Sequence, residues 1–552
     1  MNKTRYVLAG LLLAFFAFFL LLPLAVVVAE GASFSVLKEI FLHPLYREGM
    51  LNSLLLAAAA TGIVFVIALP LALVYDRYSF RFKELLHLLL LCPLILPPFV
   101  GAIGFQQVFG RYGLLNTVLA ALGASPVDFF ADGGFWLVAL CEALHLYPIL
   151  YLNLLSSLAN LDPALDEAAR NLGAGRLRRF FAITFPLVKS GALAGGILVL
   201  VWSFTELGTP LMFNYNRVLP VQIFNGLTEL ESNPLPYGLV LVMLALSALL
   251  YAGARAVAGG SAAAVSRGGG VYTARELTGA GQIFPLALFG GVASCAALPH
   301  AALLFTAFFR DWQGTVLPRG FTLTHFGNAL SHELVLPGIV NSLQYSLLAL
   351  LLALCAGTLC ALVVVRWKLR GGWLFDFLAM LPLAVPGIVM AFGFLGMAIK
   401  YRWAGALFDP LGDPLWLLAA AYAVRRLPYV VRSVAAGLEQ TPVELEEAAR
   451  NLGAGAGLTL RKITAPLIAA NLLVGGVLAF GFSMLEVSDS LILAQKTEFY
   501  PITKAIFELS QVLGSGPFTA CAFGVWTMLF MAAVFAAAQG LAGKKFGSLF
   551  RF

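Results

Sequence analysis

Charge is what this sequence has least of. Asp, Glu, Lys and Arg make up 11% of its residues, against about a quarter in a soluble domain. Apolar residues reach 60% and the mean hydropathy is +0.90, which reads as an integral membrane protein with no separate soluble domain. Cysteine is scarce too. Cys92, Cys141, Cys295, Cys355, Cys360 and Cys521 all lie in apolar runs and form no Cys-x-x-Cys pair, a pattern of small packing residues rather than disulfides or zinc ligands. The six histidines are scattered without ligand spacing, so no metal cofactor is assigned. No Gly-x4-Gly-Lys-Ser/Thr phosphate loop occurs, because Gly543-Lys544 runs on into another lysine and lacks the earlier glycine. The chain therefore carries no ATP site of that type, and it shows no Ser/His/Asp or Cys/His spacing that would mark an enzyme. The formal charge of +7 is read as a signal of membrane topology and not of nucleic-acid binding.

What the chain has in abundance is apolar runs of spanning length, about 20 residues each. They lie at about 6–29, 52–75, 85–105, 135–158, 183–205 and 237–258, then at about 284–308, 342–365, 374–398, 414–438, 464–485 and 516–541. The first is longer than a signal-peptide core and lacks a small-x-small cleavage site, so it is read as a membrane helix. Twelve helices in two sets of six are expected: an all-α polytopic protein with a first domain over 1–258, a Gly/Ala/Ser-rich linker over 259–282 and a second domain over 283–552. With the N-terminus in the cytoplasm, the inner segments hold 21 of the 35 Lys and Arg residues and the outer loops 10. The positive-inside rule then places both termini, the linker and the loops around 160–181 and 440–462 in the cytoplasm.

Those two loops carry the same nine residues. Glu167 to Gly175 reads Glu-Ala-Ala-Arg-Asn-Leu-Gly-Ala-Gly, and Glu447 to Gly455 repeats it letter for letter. The halves match elsewhere: Asn52-Ser53-Leu54 with Asn341-Ser342-Leu343, and Pro93, Pro97, Gly104 and Phe105 with Pro382, Pro386, Gly393 and Phe394. The offset changes from 289 to 280 before Pro148 and Pro428, so the first half has a longer outer loop between its third and fourth helices. Repeats of six helices point the same way, which places an axis along the membrane normal and a pathway where the halves meet.

Each copy of the block has the pattern of a short amphipathic helix, about 162–173 and about 441–453. Asp162-Pro163 and Thr441-Pro442 supply a cap and a proline at the first turn, and Glu444 is placed to complete a capping box with Thr441. Leu165, Ala168, Ala169 and Leu172 form one apolar stripe, repeated by Leu445, Ala448, Ala449 and Leu452. Asp166 and Arg170, or Glu446 and Arg450, stand at supporting i, i+4 spacing on the other face. Gly173 and Gly453 suit the left-handed position that ends a helix. Such a helix could lie on its own membrane domain or on lipid; duplication favours a two-fold partner.

Both copies resemble the EAA loop of the inner-membrane permease subunits of binding-protein-dependent ABC importers. The pattern is Glu-Ala-Ala, three residues, Gly, nine residues, then Ile-x-hydrophobic-Pro. It is met by Glu167-Ala168-Ala169, Gly173 and Ile183-Thr184-Phe185-Pro186, and by Glu447-Ala448-Ala449, Gly453 and Ile463-Thr464-Ala465-Pro466. Phe185 and Ala465 replace the usual leucine. The resemblance implies two tandem six-helix MetI-like domains in a bacterial inner membrane, a periplasmic binding protein that delivers the substrate, and two copies of a cytoplasmic ABC ATPase subunit that binds ATP and Mg2+. It implies that Glu167, Ala168, Ala169 and Gly173, with Glu447, Ala448, Ala449 and Gly453, form the ATPase-coupling helices, and that this chain holds no cofactor of its own.

Glu206 and Glu486 stand 280 apart, each near the outer end of a membrane helix, with Asp489 one turn beyond the second. A carboxylate at membrane depth usually faces a cavity or a partner. These three are candidates for the wall of a translocation pathway; helix-end residues solvated in the outer loop are the alternative. Arg425, Arg426 and Arg432 in the tenth helix read as side chains reaching back to the inner surface. Ala353, Gly357 and Ala361 read as close helix packing. The prolines at 93, 97 and 98 and at 382 and 386 are expected to break helices. Phe204-Thr205-Glu206-Leu207-Gly208-Thr209-Pro210, the segment after Pro220 and the fused layout look most like iron(III) importers, while thiamine and aminoethylphosphonate permeases share the fused layout. An ion-coupled secondary transporter would need more carboxylates in mid-helix than the chain has.

Overall fold

The computed structural model describes residues 2–95, 98–131, 134–159, 161–229, 233–258, 274–408 and 412–542. Pro97, most of the expected linker (259–273) and the Gly543-Lys544 tail lie outside the described residues.

The apolar runs fold as helices. In chain order the principal ones are α1 (Lys3–Gly31), α2 (Pro44–Arg77), α3 (Lys83–Leu91), α4 (Pro98–Phe109), α5 (Gly134–Leu158), α6 (Pro163–Asn171), α7 (Phe185–Phe204) and α8 (Leu235–Ala258). They continue as α9 (Ile283–Phe308), α10 (Val335–Ala361), α11 (Gly372–Ala384), α12 (Gly387–Lys400), α13 (Leu415–Gln440), α14 (Val443–Asn451), α15 (Ala469–Met484) and α16 (Gly516–Ala542). Among the described residues, eight helices are long and apolar enough to cross a membrane, or eleven when each bent pair counts as one span. The twelfth expected stretch is α13. It is a helix of 26 residues, and Arg425, Arg426 and Arg432 make it too charged to count by composition alone.

Pro386 sets one break, while Pro382, expected to break a helix as well, lies inside α11 without ending it. Between α11 and α12 the chain turns by 103° at Val385-Pro386, where the ring removes a backbone donor and pushes the preceding residue out of the helical region. Pro148 and Pro428 instead sit inside α5 and α13 at equivalent places without ending either helix. The described end of the expected linker is ordered rather than loose: Arg275–Glu276 pairs in parallel with Tyr78–Ser79, and Gly279–Gln282 forms a 3-10 turn. The segment after α9 forms an antiparallel hairpin of Phe309–Asp311 and Arg319–Phe321.

Contacts divide the chain into two units that do not follow the order of the sequence. One contains Met1–Tyr46, Gln222–Leu244 and Phe326–Leu549; the other contains Arg47–Val221 and Ala245–His325. In the first unit α1 lies on α12. A Cβ added at Gly393 would stand 2.5 Å from the Pro23 carbonyl oxygen, so only glycine allows the approach. In the second unit α9 lies on α4 in the same manner, with Gly104 under the Pro299 carbonyl. The first helix of each sequence half thus packs on the third helix of the other half. Gly357 meets Val430 of α13, and Ala353 and Ala361 are fully buried, in keeping with the close packing read from their spacing.

Candidate functional site: two docking helices and a buried charge cluster

Both copies of the repeated block are helical where their pattern places them. In α6 the Asp162 side chain accepts from the Ala164 N–H at 2.9 Å, a cap that satisfies one of the orphan donors of the first turn. Gly173 and Gly453 take φ of +81° and +85°, and the N–H groups of Ala174 and Ala454 reach back to the carbonyls of Ala169 and Ala449. That closes both helices with the same left-handed turn.

The capping box expected at the second copy does not form. The Thr441 hydroxyl donates back to the Gly437 carbonyl at 2.8 Å, and Pro442 is the cap residue of α14. The i, i+4 pair holds in one copy only. Arg450 lies 3.3 Å from Glu446, whereas Asp166 leaves Arg170 for Arg179 at 2.7 Å.

The apolar stripe faces outward. Leu172 and Leu452 are 88% and 89% exposed, and Leu165 and Leu445 are about half exposed. Glu167, Ala168, Glu447 and Ala448 are exposed as well, while Ala169 and Ala449 are half-buried. The acidic residue before the repeated glutamate faces the protein instead: Glu446 is buried and Asp166 partly so. An exposed leucine on each short capped helix, beside an exposed carboxylate, is a surface that a groove of another protein can cover.

On leaving α6 or α14 the chain passes through a π-turn, Phe180–Thr184 in the first half and Leu460–Thr464 in the second. It then enters α7 or α15. At the far end of those helices stand the candidate pathway carboxylates. Glu206 is half-buried and accepts from the Thr209 N–H at 3.3 Å, capping the short helix Gly208–Met212. Glu486 stands the same way at the head of the helix Ser488–Leu493, with the Asp489 N–H at 3.5 Å.

The surroundings of the two differ. Glu486 is gripped by both Arg425 and Arg426, and Arg425 also lies 3.3 Å from Asp489. Glu486, Asp489 and Arg426 are all buried. Arg425 and Arg426 therefore do not reach back to the inner surface; only Arg432 is exposed, paired with Asp376 at 3.5 Å. The Arg425 guanidinium also covers Gly387, the first residue after the α11–α12 turn, in space that any Cβ would occupy. In the first half the places of Arg425, Arg426 and Tyr422 belong to His145, Leu146 and Glu142. Buried Glu142 accepts a hydrogen bond from Ser203, and its other oxygen is unpartnered. No group of three potential metal ligands occurs among the described residues.

Sequence reasoning missed Glu142, the Arg425–Arg426 partnership and the arginines behind α6 and α14, Arg77 and Arg366. A signal existed for the middle pair, since two adjacent arginines at mid-span need carboxylates.

The chain carries the same short, outward-facing helix in both halves, and comparison with known proteins gives its class. The profile of the family described as binding-protein-dependent transport system inner membrane component matches residues 65–261 and again 353–540. The chain belongs to this family and is a multi-span inner-membrane permease of a binding-protein-dependent ABC importer, with a separate ATPase partner. A provisionally named ferric transport system permease protein of Haemophilus influenzae is 26% identical over 515 residues, covering 88% of this chain and 78% of that one. A ferric transport system permease protein of Actinobacillus pleuropneumoniae is 26% identical, covering 79% of this chain and 63% of its own length. A molybdenum transport system permease protein of Mycobacterium bovis is 30% identical over 217 residues, 38% of this chain and 80% of that one.

Proposed function

We propose that this chain forms the translocation pathway for iron(III) handed over by a periplasmic binding protein, driven by two copies of a cytoplasmic ATPase subunit docked on α6 and α14. The observation that carries the docking is the doubled helix, closed at its glycine alike in both copies, with its leucine turned outward. Leu165, Ala168, Ala169 and Leu172, and their counterparts, fill the ATPase groove; Glu167 and Glu447 set its orientation; Gly173 and Gly453 turn the chain away. Both termini and the 259–282 linker between the 1–258 and 283–552 halves are cytoplasmic in this reading, supported by the bias of Lys and Arg. Glu206, Glu486 and Asp489 belong to the pathway wall. Iron is supported by the ferric relatives that align along most of this chain.

The test is uptake by the whole transporter in vesicles loaded with ATP, with its own binding protein carrying iron(III), thiamine, aminoethylphosphonate or molybdate in turn. Accumulation of iron alone supports the assignment, and accumulation of another cargo replaces it. Transport that survives ATP depletion while an ion gradient persists would make the chain a secondary transporter. Glu167→Lys with Glu447→Lys should abolish uptake while the protein still inserts.

A further inference from the structure

A docking helix can move the pathway only through its ties to the membrane helices, and the two copies are tied differently. In the second half Arg366, at the end of the π-turn Leu362–Arg366 that closes α10, reaches under α14. Its Nε lies 3.2 Å from Glu446 Oε1 as an ion pair without a hydrogen bond, and its Nη2 donates to the Thr441 carbonyl at 2.7 Å. Glu446 also accepts from the Thr464 hydroxyl at 3.0 Å. One guanidinium and one carboxylate thus join the ends of α10 and α13, the docking helix and the π-turn that leads to α15. Both side chains are less than a tenth exposed, so the pair sits where water screens it little.

The first half has the same three positions with one change. Arg77 stands for Arg366, Thr184 for Thr464, and Asp166 for Glu446, one methylene shorter. Arg77 donates to the Thr184 hydroxyl at 3.0 Å, but Asp166 is turned to Arg179 instead. Asp166 Oδ1 has no partner, and a cavity of about 50 Å³ opens among Asp76, Arg77, Asp162, Asp166 and Thr184. The exits differ as well. The first half runs on helically from Leu177 to Phe204, while the second bends by 75° between Leu467 and Ala469.

We infer that Arg366 is a positioning residue that locks the second docking helix to the membrane helices, and that the first docking helix, which lacks this lock, moves on a looser tether. The two ATPase subunits are then coupled unequally to the pathway. The inference rests on the reading of α6 and α14 as ATPase-docking helices. A buried ion pair is suited to such a role, because it holds a fixed geometry and its parts cannot separate without leaving an uncompensated charge. A pair placed only for folding would affect yield and thermal stability but not the number of ATP molecules spent per substrate.

The experiment uses the whole transporter in lipid nanodiscs and vesicles, with its ATPase and binding protein, and measures ATP hydrolysed per substrate moved. Glu446→Asp keeps the charge and copies the first half; Asp166→Glu copies the second; Arg366→Met and Arg77→Met remove the cations. With the ATPase still bound, Glu446→Asp and Arg366→Met should raise ATP spent per substrate about tenfold, within the usual span of coupling between sites. Arg77→Met should change it little. The exchange Arg366→Glu with Glu446→Arg should restore much of the ratio. Equal effects of Arg366→Met and Arg77→Met overturn the inequality, and an unchanged ratio in Glu446→Asp overturns the lock. If Arg366→Met fails to fold, Glu446→Asp alone decides. Failure of the unmodified chain to hold its ATPase would instead overturn the docking reading beneath.

Discussion

At the scale of the residue, glycine decides where these helices meet. Gly104 lies so close to the Pro299 carbonyl that a Cβ there would stand 1.9 Å from its oxygen, a backbone atom that has no rotamer to escape into. Gly291, in the same helix as Pro299, has nothing within 4 Å of the place of a Cβ. The two glycines therefore test packing against mere composition. Gly104→Ala should lower thermal stability in detergent by about 3 kcal/mol, the upper range for overpacking. Gly291→Ala should stay within about 0.5 kcal/mol of the parent, as changes away from packed features do. Equal melting shifts for the two would show that α9 does not press on α4. Gly387 differs in kind, because what fills the place of its Cβ is the Arg425 guanidinium, a side-chain end and not backbone.

At the scale of the element, α6 and α14 are the part of the molecule most open to reading in advance. Their local chemistry is complete within about a dozen residues: the Asp162 cap, the leucine and alanine stripe, and the glycine that takes positive φ. What could not be read was any partner brought from far along the chain. Thr441 looks like half of a capping box, yet Arg366 holds its carbonyl from 75 residues away and its hydroxyl turns back into α13. Asp166 looks like a partner for Arg170, yet Arg179 comes round from beyond the glycine turn. Helical spacing gives the face on which a side chain stands but not what waits opposite. The exposed leucines yield a prediction of their own. Leu172→Asp together with Leu452→Asp should remove the ATPase from the purified complex while leaving the permease in the membrane, because a carboxylate would be buried in the groove unpaired. Either change alone should weaken retention by about tenfold, roughly the loss of one buried leucine. Retention by the double variant, measured by co-purification, would mean that the ATPase grips some other surface.

At the scale of the whole molecule, duplication in sequence and division in space disagree, and the disagreement can be measured. The sequence falls into two halves at 259–282, but each compact unit draws on both of them. Met1–Tyr46 and Gln222–Leu244 share a unit with Phe326–Leu549, and Ala245–His325 shares one with Arg47–Val221. Glycine-tight contacts hold these exchanges: Pro23 on Gly393 and Tyr237 on Gly396 in one unit, Pro299 on Gly104 in the other. A covalent join between the halves is then not what keeps them together. Expressed as two polypeptides, 1–258 and 283–552, the halves should assemble in the membrane and purify as one complex through a tag on either piece. Removing 1–31 from the first piece takes away α1, which covers α12, and should lower the melting temperature of the second piece within the complex. Removing 283–308 takes away α9 and should do the same to the first piece. If instead each half behaved as a closed domain, both truncations would leave the other half unchanged, and the split pieces would separate on a column. Permeases made of two separate six-helix chains would need the same exchange to stay paired, so the fused chain gains from its linker mainly a fixed one-to-one supply of two halves that are no longer alike at Asp166 and Glu446, or at His145 and Arg425.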